Sequence, residues 1–149
     1  WSFRLMAIEK QVHDDGAFAV ARVFEVVTAE EIIDFQFWLI NAFNSGTLQK
    51  NYRLLIDARD VEIIQVGEKD IYRLSQINTV YGRQRGKLRT AIAVDSGPGR
   101  QLAQLHKTLS KNIGIEVEIF EMREHACTWL GIDPMAGAAG MDDDQLSAS

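Results

Sequence analysis

Two apolar stretches rich in β-formers open the chain, Phe3 to Glu9 and Phe18 to Val27. Between them, His13-Asp14-Asp15-Gly16 is a turn signal, with a glycine free to take positive φ. The pair predicts a β-hairpin. Thr28-Ala29-Glu30-Glu31 follows and matches a capping box: Thr28 accepts from the first helical turn and Glu31 reaches back. A helix is predicted from about Ala29 to Phe43, stopping near Asn44-Ser45-Gly46. Tyr52 to Asp57 (YRLLID) is a continuous apolar run with a polar end, as in a parallel strand buried on both faces. Ile71, Leu74, Ile77 or Asn78, and Tyr81 recur at helical spacing within Glu68 to Tyr81, and Gly82 stops them. Thr90 to Asp95 is another buried strand. Pro98 suits a first helical turn, where its missing N–H costs nothing, and Leu102, Leu105, Leu109 and Ile113 carry that helix to Gly114. Ile115 to Phe120 closes the set of strands, and Arg123 to Leu130 is a short final helix.

The order is ββαβαβαβα. It predicts an α/β fold: a mostly parallel mixed sheet of about five strands, an N-terminal hairpin and about four helices. At 149 residues the chain has the size of one domain. Residues 1–133 are read as that domain. From Pro134 the composition turns to Met, Ala, Gly, Ser and Asp without periodicity, which predicts a disordered tail over residues 134–149. The tail also explains the net charge of −5. Without its three aspartates the 21 acidic residues fall to 18 against 16 basic ones, a net −2. A nearly neutral domain lacks the basic excess that nucleic-acid binding needs. No apolar run reaches the ~18 residues of a membrane span. Charges at Arg4, Glu9 and Lys10 interrupt the opening stretch, which is not a signal peptide. An opening Trp in place of Met reads as a trimmed chain. The single cysteine, Cys127, rules out an internal disulfide and fits a reducing, cytoplasmic setting.

Three segments carry a family likeness. YRLLIDARDV (Tyr52 to Val61), RTAIAVDSGPGRQLAQL (Arg89 to Leu105) and IEVEIFEMREHACTWLG (Ile115 to Gly131), in this element order, resemble the STAS and SpoIIAA-like proteins, which include anti-sigma-factor antagonists. The resemblance covers roughly residues 3–132. It implies a scaffold for regulation and protein contacts rather than catalysis. The SpoIIAA-like group is also fold-related to the CRAL-TRIO lipid carriers, an analogy of fold alone. One departure matters. Phosphorylation-regulated antagonists carry a Ser or Thr in the loop after the central strand. Here no Ser or Thr occurs between Thr47 and Ser75, so that switch has no hydroxyl to act on.

Candidate chemistry is sparse. Asp57, read as the end of a central strand, sits where open α/β sheets place their sites. A response-regulator receiver would pair it with Asp14-Asp15, but those residues lead into a strand, and no Lys follows the last strand. The competing reading is a polar strand end that caps the next loop. Ser96, Gly97, Gly99 and Arg100 join a strand to a helix and could hold an anion on its N-terminus. They lack a Walker or G-x-G-x-x-G pattern, and an ordinary turn accounts for them too. Arg83, Arg85, Lys87 and Arg89 form a basic patch, either a solvated loop after a helix or a contact for an acidic partner or lipid headgroup. His13, His106, His125 and Cys127 lack metal-ligand spacing. Ser96 has no G-x-S-x-G setting.

The first helix is the most informative element. Ile32, Phe35, Leu39, Ala42 and Phe43 form one apolar stripe for the sheet. Ile33, Phe37 and Ile40 form a second, with Trp38 beside the first. One sheet covers one stripe. The second must be covered by the domain's own helices, by a second subunit or by an apolar ligand. The expectation is therefore a non-enzymatic regulatory or protein-interaction module, homodimeric through Ile33, Phe37, Trp38 and Ile40, with no cofactor and no metal. The alternative is a carrier or sensor of a small apolar or anionic, lipid-like ligand.

Overall fold

The structure, a computed structural model, describes residues 7–134. The chain runs β1 (Ile8–His13), β2 (Phe18–Thr28), α1 (Ala29–Asn44), β3 (Arg53–Gln65), α2 (Glu68–Tyr81), β4 (Leu88–Ala93), α3 (Pro98–Ser110), β5 (Ile115–Phe120) and α4 (Arg123–Leu130). The five strands form one sheet in the order β1-β2-β3-β4-β5. β1 is antiparallel to β2, and the other neighbours are parallel.

This order places the helices. Each parallel connection steps to the next strand in the same direction, and such crossovers are right-handed. α1, α2 and α3 must then share one face. The main core lies there, between the sheet and residues such as Phe35 and Leu39 of α1 and Ala103 of α3. α4 follows the last strand without a crossover and covers the other face, where Ala126, Cys127 and Leu130 pack on Phe18, Val20, Leu55 and Ala91.

The capping box at Thr28 forms as the sequence predicts: Glu31 N–H donates to Thr28 Oγ1 at 3.2 Å, and Thr28 N–H donates to Glu31 Oε1 at 3.0 Å. The second Glu31 oxygen accepts from Ala7 N–H at 2.8 Å, tying the chain before β1 to the start of α1. α2, β5 and α4 keep their predicted bounds.

The strand expected over Thr90 to Asp95 runs instead from Leu88 to Ala93, and two further expectations are corrected. The first strand is not Phe3 to Glu9. It runs from Ile8 to His13, with Ile8 opposite Val23 and His13 opposite Phe18. As an edge strand it accommodates polar residues, and Lys10 lies 5.5 Å from the centre of the Trp38 ring. Residues 3–6 of the expected strand lie outside the described residues, as do residues 135–149 of the expected tail. Second, β3 does not end at Asp57. It continues to Gln65 beside β2, past the end of β4, with register shifts between Arg22 and Phe24 and between Glu25 and Val26. Those shifts are β-bulges that give β3 two more residues than its partner. They keep Ala58, Val61 and Ile64 on the helix-covered side. A spacing of three does not fit a strand's period of two, which is why this stretch reads as a loop in sequence.

Candidate functional site

Strand alternation sorts β3 into two rows. Tyr52, at its start, and Leu54, Ile56 and Ala58 within it face α1–α3. Arg53, Leu55 and Asp57 face α4. The first row borders a cavity of about 170 Å³ between the sheet and the three helices. That volume is comparable with the ~150 Å³ apolar cavity that binds benzene in an engineered protein. Protein interiors normally close such space by packing. The wall here is mostly aliphatic, including Ile32 and Leu39 of α1, Ile71 and Leu74 of α2, Ile92 of β4 and Leu102 of α3.

Its polar groups are few. Arg85, only 2% exposed, enters from the short turn between α2 and β4. Its Nη1 donates to Tyr52 Oη at 2.7 Å and its Nη2 to Asn78 Oδ1 at 2.7 Å. Both partners are uncharged, and among the described residues no carboxylate lies within ion-pair distance of it. Burial raises the Tyr52 pKa, although Arg85 opposes the shift, so the phenol keeps its proton at neutral pH. Three buried nitrogens on the wall find no partner among the described residues: Arg85 Nε, Gln36 Nε2 of α1 and His106 Nδ1 of α3. Burial pushes the His106 pKa down to about 4. The residue as a whole keeps some surface, but its Nδ1 is enclosed.

The turn that delivers Arg85 is specified locally. Gly82–Arg85 makes a 3-10 turn, and Gly86 follows at φ 85 and ψ −150, a region open essentially to glycine. A Cβ there would run into the Asn51 side chain. Asn51 takes the space, accepting from Lys87 N–H at 2.8 Å while its own N–H donates to Arg85 O at 2.8 Å.

The structure separates the residues of the expected basic patch. Arg83 and Lys87 are exposed and Arg85 is interior. Arg89 lies over the Trp129 ring at 4.1 Å and faces Glu116 at 3.7 Å. A solvated four-residue patch is thus corrected to two surface cations. In the turn before α3, Ser96 and Gly97 are exposed, and Ser96 makes no cap to the helix. Gly99 belongs to the interior, since a Cβ there would meet Ile64 Cδ1 at 2.9 Å. Arg100 faces Glu121 at 3.9 Å. These four positions do not converge on one point. On α1, Ile33 and Ile40 are buried, Phe37 is 38% exposed, and Trp38 stacks on Phe35 with ring centres 6.0 Å apart. Phe37 meets Tyr81 of α2 edge-on at 6.4 Å. Ile33 and Ile40 are thus covered within the domain itself.

Asp57 is buried against α4 inside β3 rather than at its end, although its Oδ1 does accept from the Arg59 N–H two residues on, at 3.3 Å. Its Oδ1 accepts from Arg59 Nε at 2.8 Å and its Oδ2 from Arg59 Nη2 at 2.9 Å, and Arg123 Nη1 lies 3.4 Å from Oδ2. Burial alone would raise its pKa, but Arg59 and then Arg123 outweigh that and hold it below the usual carboxylate range. Two residues earlier on this face is Leu55, and two before that is Arg53. Arg53 donates to the carbonyls of Leu130 and Gly131 at 3.0 and 3.3 Å. β3 therefore clamps α4 at both ends. Asp14 and Asp15 precede the start of β2 beside Arg53, four residues or ~13 Å down the strand from Asp57, so no acidic pair assembles. Burial raises the Cys127 thiol, with Arg123 partly opposing. Among the described residues, no group of three or more His, Cys, Asp or Glu side chains could hold a metal, and no helix is long and apolar enough to cross a membrane.

The chain matches no protein-family model and no curated protein. It is similar in structure to an uncharacterised protein of the DUF3478 family with a SpoIIAA-like fold from Shewanella loihica PV-4. The TM-score is 0.55 at 17% identity, covering 87% of this chain and 98% of that one. The fold of this protein is therefore SpoIIAA-like: an α/β domain with a five-stranded mixed sheet and four helices.

Proposed function

We propose that this protein is a non-enzymatic regulatory module of the STAS/SpoIIAA-like kind whose input is a small apolar molecule held between the sheet and α1–α3. The observation that carries the reading is the cavity: open space with an aliphatic wall in the middle of the main core. Pockets of this kind, mostly apolar with a few placed polar groups, are typical ligand sites. Asp57, the best acid in the sequence, has its oxygens taken by Arg59 and Arg123, which leaves it poorly placed to move protons. A buried free cysteine fits the reducing cytoplasm, which belongs to the same proposal. Native mass spectrometry of the freshly purified protein should show a co-purified small molecule, or thermal unfolding should shift upward with apolar compounds. A protein that is empty and indifferent to a panel of such compounds sinks the reading.

A second reading concerns partners. Phe37 on α1 and Val80 and Tyr81 on α2 are exposed, at 38%, 69% and 37%. Of the four α1 residues expected at a homodimer face, Phe37 keeps the most access to solvent, and this smaller α1–α2 surface is the proposed contact. Light scattering over a concentration series checks it. A monomer throughout removes the homodimer.

A further inference from the structure

We propose that the ligand carries a compact anionic head, a carboxylate, seated on Arg85, with its apolar body lying along β3 and β4 towards Ile64 and Gly99. The inference rests on the ligand reading above and adds the chemical class. A guanidinium stays cationic in proteins, and burying a charge without a counter-charge is strongly unfavourable. Arg85 is almost wholly buried, yet its partners are a phenol and an amide. These fix its orientation without neutralising it.

Donors remain unspent. Arg85 Nε has no partner among the described residues. Tyr52 Oη receives a hydrogen bond from Arg85, so its own O–H is left to donate. Carboxylate oxygens accept such charge-assisted bonds well. Strand register supplies the direction. Tyr52 immediately precedes Arg53, which is level with Arg89, so Tyr52 and Leu88 lie side by side at one end of the sheet. Ile64, Val94 and Gly99 line the other end, and they are apolar. A cation at one end of an apolar cavity of about 170 Å³ matches a short single-chain amphiphilic anion.

The test compares hexanoate with hexanol, which share a chain that fits this volume and differ in the head, by calorimetric titration of the intact protein. Hexanoate should bind at least about tenfold more tightly, the scale of hydrogen bonds to a charged group. Arg85→Met should erase that preference, so that hexanoate binds no more tightly than hexanol. Should Arg85→Met not fold, Tyr52→Phe serves in its place and should reduce the preference several-fold. Equal affinity for both compounds in the unmutated protein overturns the anionic head and leaves the apolar-ligand reading standing. A preference that survives Arg85→Met overturns the assignment to Arg85. Binding of neither compound overturns the anionic amphiphile, and the apolar-ligand reading falls with it if the purified protein is also empty.

Discussion

Asp57 and the enclosed Nδ1 of His106 lie on opposite sides of the sheet, and the two groups respond to burial differently. Asp57 has two guanidinium partners and stays ionised. His106 has none on Nδ1 and stays neutral. Removing one member of a buried charge set leaves the others uncompensated, so Asp57→Asn should cost about 3 kcal/mol. Denaturant midpoints measure this. A loss well under ~1 kcal/mol would mean that solvent already screens the cluster through the half-exposed Arg59. Acid reveals the two groups in sequence. His106 has a folded pKa of about 4, below its ordinary 6.5. Between those values the unfolded chain binds the proton and the folded one does not, so stability falls as pH drops through this window. His106→Leu should flatten the slope there by up to about one proton. An unchanged slope would assign the acid sensitivity elsewhere. The folded pKa of Asp57 is also depressed, so its contribution is present above the ordinary carboxylate value and lost only as pH falls below it.

The connection between α2 and β4 shows how a short element sets the site. Its sequence, Gly82-Arg83-Gln84-Arg85-Gly86, reads as a basic surface loop because three of five positions are polar or charged. What turns Arg85 inward is the backbone at Gly86 together with Asn51, which lies far away in sequence. Gly86→Ala meets both an unfavourable φ and the Asn51 side chain. It should cost about 2–3 kcal/mol. Gly46→Ala, also at positive φ but with open space around its Cβ, is the control and should cost less. Equal losses would show that Asn51 yields easily. β3 makes a related point. Its first half is legible as a buried strand. Its second half is masked by two bulges, which change the apolar spacing from two to three. In the first half the polar positions Arg53 and Asp57 flank Leu55 at strand spacing, and that row was the available signal for the α4 clamp.

In the molecule as a whole, three crossover helices share one face of the sheet and a single short helix holds the other. The larger face is the one left incompletely filled. Ala103 of α3 borders that space. In a tightly packed core Ala103→Leu would introduce strain of about 1–3 kcal/mol. Here the added methylenes have room, at ~0.8 kcal/mol each when buried. The ligand-free variant should be as stable as the parent or up to ~2 kcal/mol more so, and its hexanoate affinity should drop about tenfold or more. Thermal unfolding with and without hexanoate reads both effects. Clear destabilisation of the ligand-free variant would mean that the cavity closes in solution.

The sequence by itself determined the element order, the α/β class and several helix limits, because these follow from local signals: the Thr28–Glu31 capping box, continuous apolar runs for the strands, an apolar period of 3.6 for the helices, Pro98, and the turns at Gly16 and Gly114. It also determined that the second stripe of α1 needed a cover, although not that the domain itself would bury Ile33 and Ile40. Only the tertiary structure decided which charged residues are interior. Arg85, Asp57 and Arg123 are hydrophilic in any pattern, and nothing local distinguishes them from Arg83 or Asp60. Their burial depends on partners 33 and 66 residues away, Tyr52 for Arg85 and Arg123 for Asp57. Interactions of that range exist only once the sheet has assembled. The cavity is of the same kind: it is volume left between elements, and volume has no signature along a chain.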